Sequence, residues 1–192
     1  LYTSSNKVYG DLNWDKVKTL DQRYESVNYK NGYGIDIPIN LTTPYGCSKG
    51  VGDLYSIDYY KSFGVKTIVF RLSTIYGKNQ TSTYNQGWIG WFISEAINKK
   101  NNETIEILGS GKQVRDVLNV DDLTNLFEIV IESSENFVGN VYNVGGGYNN
   151  SISLLELISY LKTSLEKNFK VIKLDSRVSD QKYYVSDISK LI

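Results

Sequence analysis

The chain has 192 residues, 41% apolar and 22% charged, and its 21 Lys and Arg are balanced by 21 Asp and Glu. This is the composition of a soluble globular protein, with no electrostatic case for nucleic acid or an anionic membrane. The absence of His and the single Cys47 argue against a His-based triad and a zinc site, so no metal is expected.

In chain order, Leu1-Tyr-Thr-Ser-Ser5 reads as the end of a strand. Residues 11–42 are polar, with turn signals at Asn31-Gly32 and Tyr33-Gly34, and are expected to form a long loop with little regular structure. Thr42 or Thr43 can cap a helix over about Pro44–Phe63, with Val51, Leu54 and Tyr55 as its inward stripe and Gly64 as its stop. Val65–Leu72 follows as a strand buried on both faces, and helix followed by buried strand is the rhythm of an α/β sheet.

Trp88–Lys100 reads as an amphipathic helix, and short strands are expected at Thr104–Leu108, Val114–Val120 and Val141–Val144. Asp121 or Asp122 starts a helix to about Ser133, Ser151–Lys167 forms another, and Phe169–Leu174 is a strand. Gly145-Gly-Gly147 reads as a turn after a strand. Asp187–Ile192 reads as the start of a further helix. Met is absent, so the chain is expected to be a fragment of a longer protein, cut at both ends. The apolar runs, such as Ile68-Val69-Phe70, are too short to span a bilayer. No N-terminal signal pattern is visible, and one cysteine cannot form an internal disulfide, so a cytoplasmic location is expected.

Chemistry concentrates in Pro44-Tyr-Gly-Cys-Ser-Lys49. On a helix, residues four apart share one face, so the Tyr45 phenol and the Lys49 ammonium can approach each other. A phenol is a poor base near neutral pH, its reference pKa being about 10, but a neighbouring cation favours phenolate. Tyr45 could then take a proton from a substrate hydroxyl. The spacing alone is weak, since roughly one Tyr-x3-Lys match is expected by chance in such a chain. Its surroundings decide the matter.

Three further segments align with the pair: Ser4-Ser5-Asn-Lys-Val8-Tyr9-Gly10, Arg71-Leu-Ser-Thr-Ile-Tyr76-Gly77 and Gly109-Ser-Gly-Lys-Gln-Val-Arg115-Asp116-Val-Leu-Asn-Val-Asp121-Asp122. In this order they resemble the extended short-chain dehydrogenase/reductase superfamily, in particular its NAD-dependent epimerase/dehydratase family. The resemblance implies tightly held NAD as cofactor, nucleotide sugars as substrates and the second half of a doubly wound, mostly parallel Rossmann-like sheet. It divides the chain into residues 1–78, in the NAD-binding domain, and 79–192, mainly a small mixed α/β substrate lobe with segments returning to that domain. Tyr84-Asn-Gln-Gly-Trp-Ile-Gly-Trp91 and Arg177-Val-Ser-Asp-Gln181 are most similar to the branch that inverts C2 of a CDP-linked dideoxyhexose.

Carried over residue by residue, Tyr45 is the general base/acid, Lys49 supports it and grips the nicotinamide ribose, and Ser5 orients the reacting sugar oxygen. Ser73 joins Tyr45 and Lys49 at the cofactor, and Arg115, Arg177 and Asp180 fall in the substrate-binding motifs. Two guanidiniums on one pyrophosphate would give bidentate, charge-assisted contacts. The resemblance implies a CDP-sugar as partner, in a cytoplasmic homo-oligomer whose product feeds lipopolysaccharide O-antigen biosynthesis. Trp88 and Trp91 read as wall or core residues.

Departures from the wider family narrow the chemistry. Sugar-nucleotide 4,6-dehydratases carry an Asp-Glu pair directly after the catalytic Ser or Thr, where this chain has Asn6 and Lys7. Neither can protonate a departing hydroxyl as a carboxylic acid would, which argues against dehydration. Thr74 stands where many relatives carry Asn. The Gly-x2-Gly-x2-Gly turn that cradles the NAD pyrophosphate is not in these 192 residues. A UDP-sugar 4-epimerase and an inactive nucleotide-sugar-binding remnant stay open as alternatives.

Overall fold

The computed structural model describes residues 1–191. Its strands are β1 (Tyr2–Ser5), β2 (Val17–Thr19), β3 (Tyr24–Ser26), β4 (Val69–Leu72), β5 (Thr74–Tyr76), β6 (Thr104–Leu108), β7 (Val114–Asn119), β8 (Val141–Val144), β9 (Ser151–Ser153), β10 (Lys170–Leu174) and β11 (Tyr183–Tyr184). The helices are α1 (Pro44–Phe63), α2 (Trp88–Asn98), α3 (Val120–Glu132) and α4 (Leu154–Ser164).

β1, β4 and β8 form a parallel sheet in that order, with Ser5 opposite Leu72 and Leu72 opposite Val144. Helices cover both of its faces. Phe70 of β4 packs with Leu123, Phe127 and Val130 of α3, while the next residue, Arg71, points the other way to bond Asp53 of α1. This is a Rossmann-like α/β arrangement, as the helix–strand rhythm predicts. A second sheet joins β11, β7 and β5 in parallel, with β9 antiparallel to the first half of β7. β6 and β10 pair in parallel and pack, with α2 and α4, around Phe92, Ile105, Ile107, Leu157 and Phe169.

α1 carries the Tyr-x3-Lys segment and is bounded by local chemistry. The Thr43 hydroxyl accepts from the Gly46 N–H at 3.0 Å, Pro44 sits in the first turn, and Gly64 ends the helix in the left-handed region at φ 68°. Its inward face differs from the expected one. Val51, Leu54 and Tyr55 are 50%, 47% and 62% exposed, whereas Gly46, Gly50 and Asp53 are buried. The reason is proximity: a Cβ on Gly46 would lie 2.8 Å from the Lys7 carbonyl oxygen. Only a residue without a side chain lets the helix lie this close to the turn after β1.

Three other expectations are corrected. The loop over 11–42 contains the β2–β3 hairpin, in which Val17 pairs Ser26 and Thr19 pairs Tyr24. Ser151–Ser153 is a strand, and Ser153 caps α4 by accepting from the Glu156 N–H while Glu156 accepts from the Ser153 N–H. Residues 187–191 are irregular and end in a turn at 189–191, in place of the expected helix, and Ile192 of that segment lies outside the described residues. Gly145-Gly-Gly147 is the turn after β8, as expected. Among the described residues, no helix is long and apolar enough to cross a membrane and no group of acidic, Cys or His side chains is placed to hold a metal.

Candidate active site

A cleft of about 500 Å³ opens beside the carboxyl ends of β1 and β4, where open α/β sheets bind their ligands. Asn6 and Lys7 reach it from the turn that follows β1, Thr43 and Tyr45 from the start of α1, and Ser73 and Thr74 from the chain after β4. The lining also includes Trp88, Trp91, Glu106, Arg115, Arg177 and Asp180, from the later part of the chain. The Tyr84 and Trp91 rings meet edge to face there, 5.7 Å apart.

Five of the seven residues singled out in the sequence therefore line one cleft: Tyr45, Ser73, Arg115, Arg177 and Asp180. Tyr45 is about half exposed, so its phenol is open to a ligand. Arg115 is held by the fold itself. Its Nη1 donates to the carbonyls of Val114 and Gln181 at 2.7 and 2.8 Å, and its Nη2 donates to Asp180 Oδ1 at 2.7 Å. Arg177 donates to the Tyr84 carbonyl at 3.2 Å. Ser73 donates to the fully buried Asp116, whose carboxyl burial pushes upward while bonds from Ser73 and the Gly147 N–H oppose that push.

Ser5 and Lys49 are not among the lining residues. Ser5 is buried, and its hydroxyl accepts from the Lys7 N–H at 3.2 Å and donates to Asn6 Oδ1 at 3.3 Å. The Lys49 ammonium lies 5.7 Å from the centre of the Tyr2 ring and donates to the Thr3 carbonyl of β1 at 3.1 Å. Lys7 is the lining residue that sequence reasoning noted only as a missing acid. Its ammonium lies 3.8 Å from Asp180. The signal for it was its place two residues after Ser5, in the turn that leaves β1.

For NAD, the residues present fit the nicotinamide-ribose end. Tyr45 and Ser73 line the cleft at the carboxyl ends of β1 and β4, with the Ser73 hydroxyl bonded to Asp116, and the buried Ser4 hydroxyl of β1 has no partner among the described residues. The pyrophosphate end would need the glycine-rich turn, so these residues account for one end of the cofactor only.

A cleft at the carboxyl ends of a Rossmann-like sheet, with a phenol and two guanidiniums in its lining, is the ligand-binding arrangement of open α/β proteins. The chain belongs to the NAD dependent epimerase/dehydratase family, which matches residues 1–145. It is 43% identical over 193 residues to CDP-paratose 2-epimerase of Salmonella typhi, an alignment covering all of this chain and 57% of that protein. It is 34% identical over 146 residues to dTDP-D-glucose 4,6-dehydratase of Dictyostelium discoideum, across 76% of this chain and 30% of that one. The chain thus spans little more than half the length of the first of these relatives.

Solved structures agree. UDP-glucuronic acid 4-epimerase from Bacillus cereus, in complex with UDP-glucuronic acid and NAD, superposes with a TM-score of 0.76 at 26% identity, covering 98% of this chain and 52% of that one. dTDP-glucose 4,6-dehydratase from Bacillus anthracis in complex with NAD superposes with a TM-score of 0.74 at 26% identity, over 98% and 52% of the two chains. NAD is the cofactor that this family assignment carries.

Proposed function

We propose that the full-length protein is a nucleotide-sugar epimerase that inverts C2 of CDP-paratose to give CDP-tyvelose. The observation that carries this reading is the joint presence of Tyr45, Arg115 and Arg177 on one cleft, in a chain 43% identical throughout to CDP-paratose 2-epimerase. NAD, when bound, supplies the hydride acceptor and donor. Tyr45 takes the proton of the sugar hydroxyl and later returns it, so the ground states are joined through a transient keto-sugar. Ser5 orients that oxygen, and Lys49 holds the ribose and supports the phenol. For both residues this requires side-chain bonds to be exchanged from the Asn6 and Thr3 partners they hold here.

Epimerisation is favoured over dehydration by the residues that stand in the cleft directly after Ser5. These are Asn6 and Lys7, and Asp180 is committed to Arg115 at 2.7 Å. Neither position directly after Ser5 offers a carboxylic acid to protonate a departing hydroxyl. The protein is proposed to be cytoplasmic and homo-oligomeric. The exposed aromatic ladder of α1, in which Tyr59 lies 6.4 Å from Tyr55 and 5.3 Å from Phe63, supports association of subunits.

Incubation of the full-length protein with CDP-paratose in deuterated water tests the reaction. The expected product is the C2 epimer, formed without net consumption of NAD and without deuterium at C2, because hydride returns to the carbon it left. Deuterium at C2 would show enolisation, and inversion at C4 alone would favour a 4-epimerase. The guanidiniums are tested separately. Arg115→Ala and Arg177→Ala are each expected to weaken substrate binding by about 1–3 kcal/mol, with the turnover number less affected. Calorimetry with CDP reads this directly, and unchanged affinity would show that neither guanidinium contacts the diphosphate.

A further inference from the structure

We infer that Lys7 is a third cation of the substrate's diphosphate site, an inference that rests on the nucleotide-sugar reading above. Four charged groups converge on this part of the cleft from three segments: Lys7 after β1, Arg115 of β7, and Arg177 and Asp180 between β10 and β11. Asp180 joins the segments, lying 2.7 Å from Arg115 and 3.8 Å from Lys7. Two carboxylates, Asp180 and Glu106, do not balance the three cations that line the cleft, so it carries a positive excess. A sugar-linked nucleoside diphosphate, with two negative charges, is an anion suited to it. Lys7 is also the cation nearest in sequence to Ser5, with its own N–H bonded to the Ser5 hydroxyl at 3.2 Å. Its side chain lines the same cleft as Arg115 and Arg177.

The environment of Lys7 gives this role a measurable signature. Burial, and next the Arg115 guanidinium, push its ammonium down to about 8, with Arg177 adding to the depression and Asp180 opposing it. Tyr45, Tyr84 and Glu106 are the other titratable groups that line the cleft. A bound diphosphate favours the charged form, so binding is strongest below pH 8 and weakens as the pH rises through the free value. A lysine whose only role was structural would leave nucleotide affinity flat across that range.

The test is calorimetry of CDP binding to the full-length protein between pH 7 and pH 9.5, with Lys7→Met and Lys7→Arg beside the wild type. Wild-type affinity is expected to fall about tenfold across the range. Lys7→Arg, whose guanidinium stays charged, should bind as the wild type does at pH 7 and keep that affinity to pH 9.5. Lys7→Met should bind about tenfold more weakly at pH 7 and show little further loss. A wild-type profile that is flat, or one that Lys7→Arg reproduces with the same slope, would overturn the role of Lys7 while leaving the nucleotide site standing. Failure of the wild type to bind CDP or UDP at any pH would overturn the nucleotide-sugar reading itself, and this inference with it.

Discussion

Tyr45→Phe in the full-length protein is expected to keep the fold and most NAD binding while lowering epimerisation by several orders of magnitude. The substitution removes one oxygen and retains the ring. Tyr45 is half exposed at the first turn of α1, and its hydroxyl holds no hydrogen bond among the described residues, so nothing in the packing depends on that oxygen. The helix is anchored instead by the Thr43 cap, by Gly46 against the Lys7 carbonyl and by Asp53. Chemistry and stability are therefore separable at this position. Single-turnover assays with CDP-paratose, paired with a thermal unfolding curve, read both. Turnover near that of the wild type would sink the proton-transfer role assigned to Tyr45.

Much of this site was legible in the sequence because its determinants are local. Thr43-Pro44 announces a helix start and Gly64 its end, and both are found where the capping rules place them. Helix spacing then fixes Tyr45 and Lys49 one turn apart. The convergence of Arg115, Arg177 and Asp180 was suggested by motif resemblance rather than by any local rule, since it depends on how β7 and the chain before β11 are brought together.

The misses have a common physical origin. The stripe Val51, Leu54 and Tyr55 was assigned inward because apolar side chains usually are, but α1 approaches the sheet through glycines and one buried acid. Periodicity of apolar residues cannot see a face whose design is closeness. The hairpin of β2 and β3 was hidden for a related reason. Its strands have three residues each and mostly polar side chains, so neither period nor composition marks them. β11 lies in Tyr183-Tyr184, whose rings pack with Tyr9 and Tyr33 far away in sequence. Lys7 was read for what it is not, an acid, because its charged neighbours come from segments more than a hundred residues away.

Asp53→Ala is expected to destabilise the full-length protein by about 3–5 kcal/mol, the usual cost of leaving a buried charge without its partner. Asp53 is fully buried on α1, and Arg71 on β4 is nearly so. Arg71 Nε and Nη2 donate to the two carboxylate oxygens at 2.9 Å each, a bidentate pair, while Nη1 donates to the Tyr9 hydroxyl at 2.9 Å. The chain of bonds continues inward. Tyr9 donates to Asn143 of β8 at 2.7 Å, and Asn143 donates to the Tyr33 carbonyl at 2.8 Å. One carboxylate thus ties the helix that carries Tyr45 and Lys49 to two strands and to the turn after Ser5. Removing it strands a guanidinium that cannot be deprotonated and has no other anion within the network. Replacing both partners, in Asp53→Leu with Arg71→Met, removes the unpaired charge and should recover part of the loss. Urea unfolding of the single and double variants measures the difference. A single-variant loss under about 1 kcal/mol, the range of an exposed pair, would show that water reaches Arg71 and that the pair does not hold α1 in place.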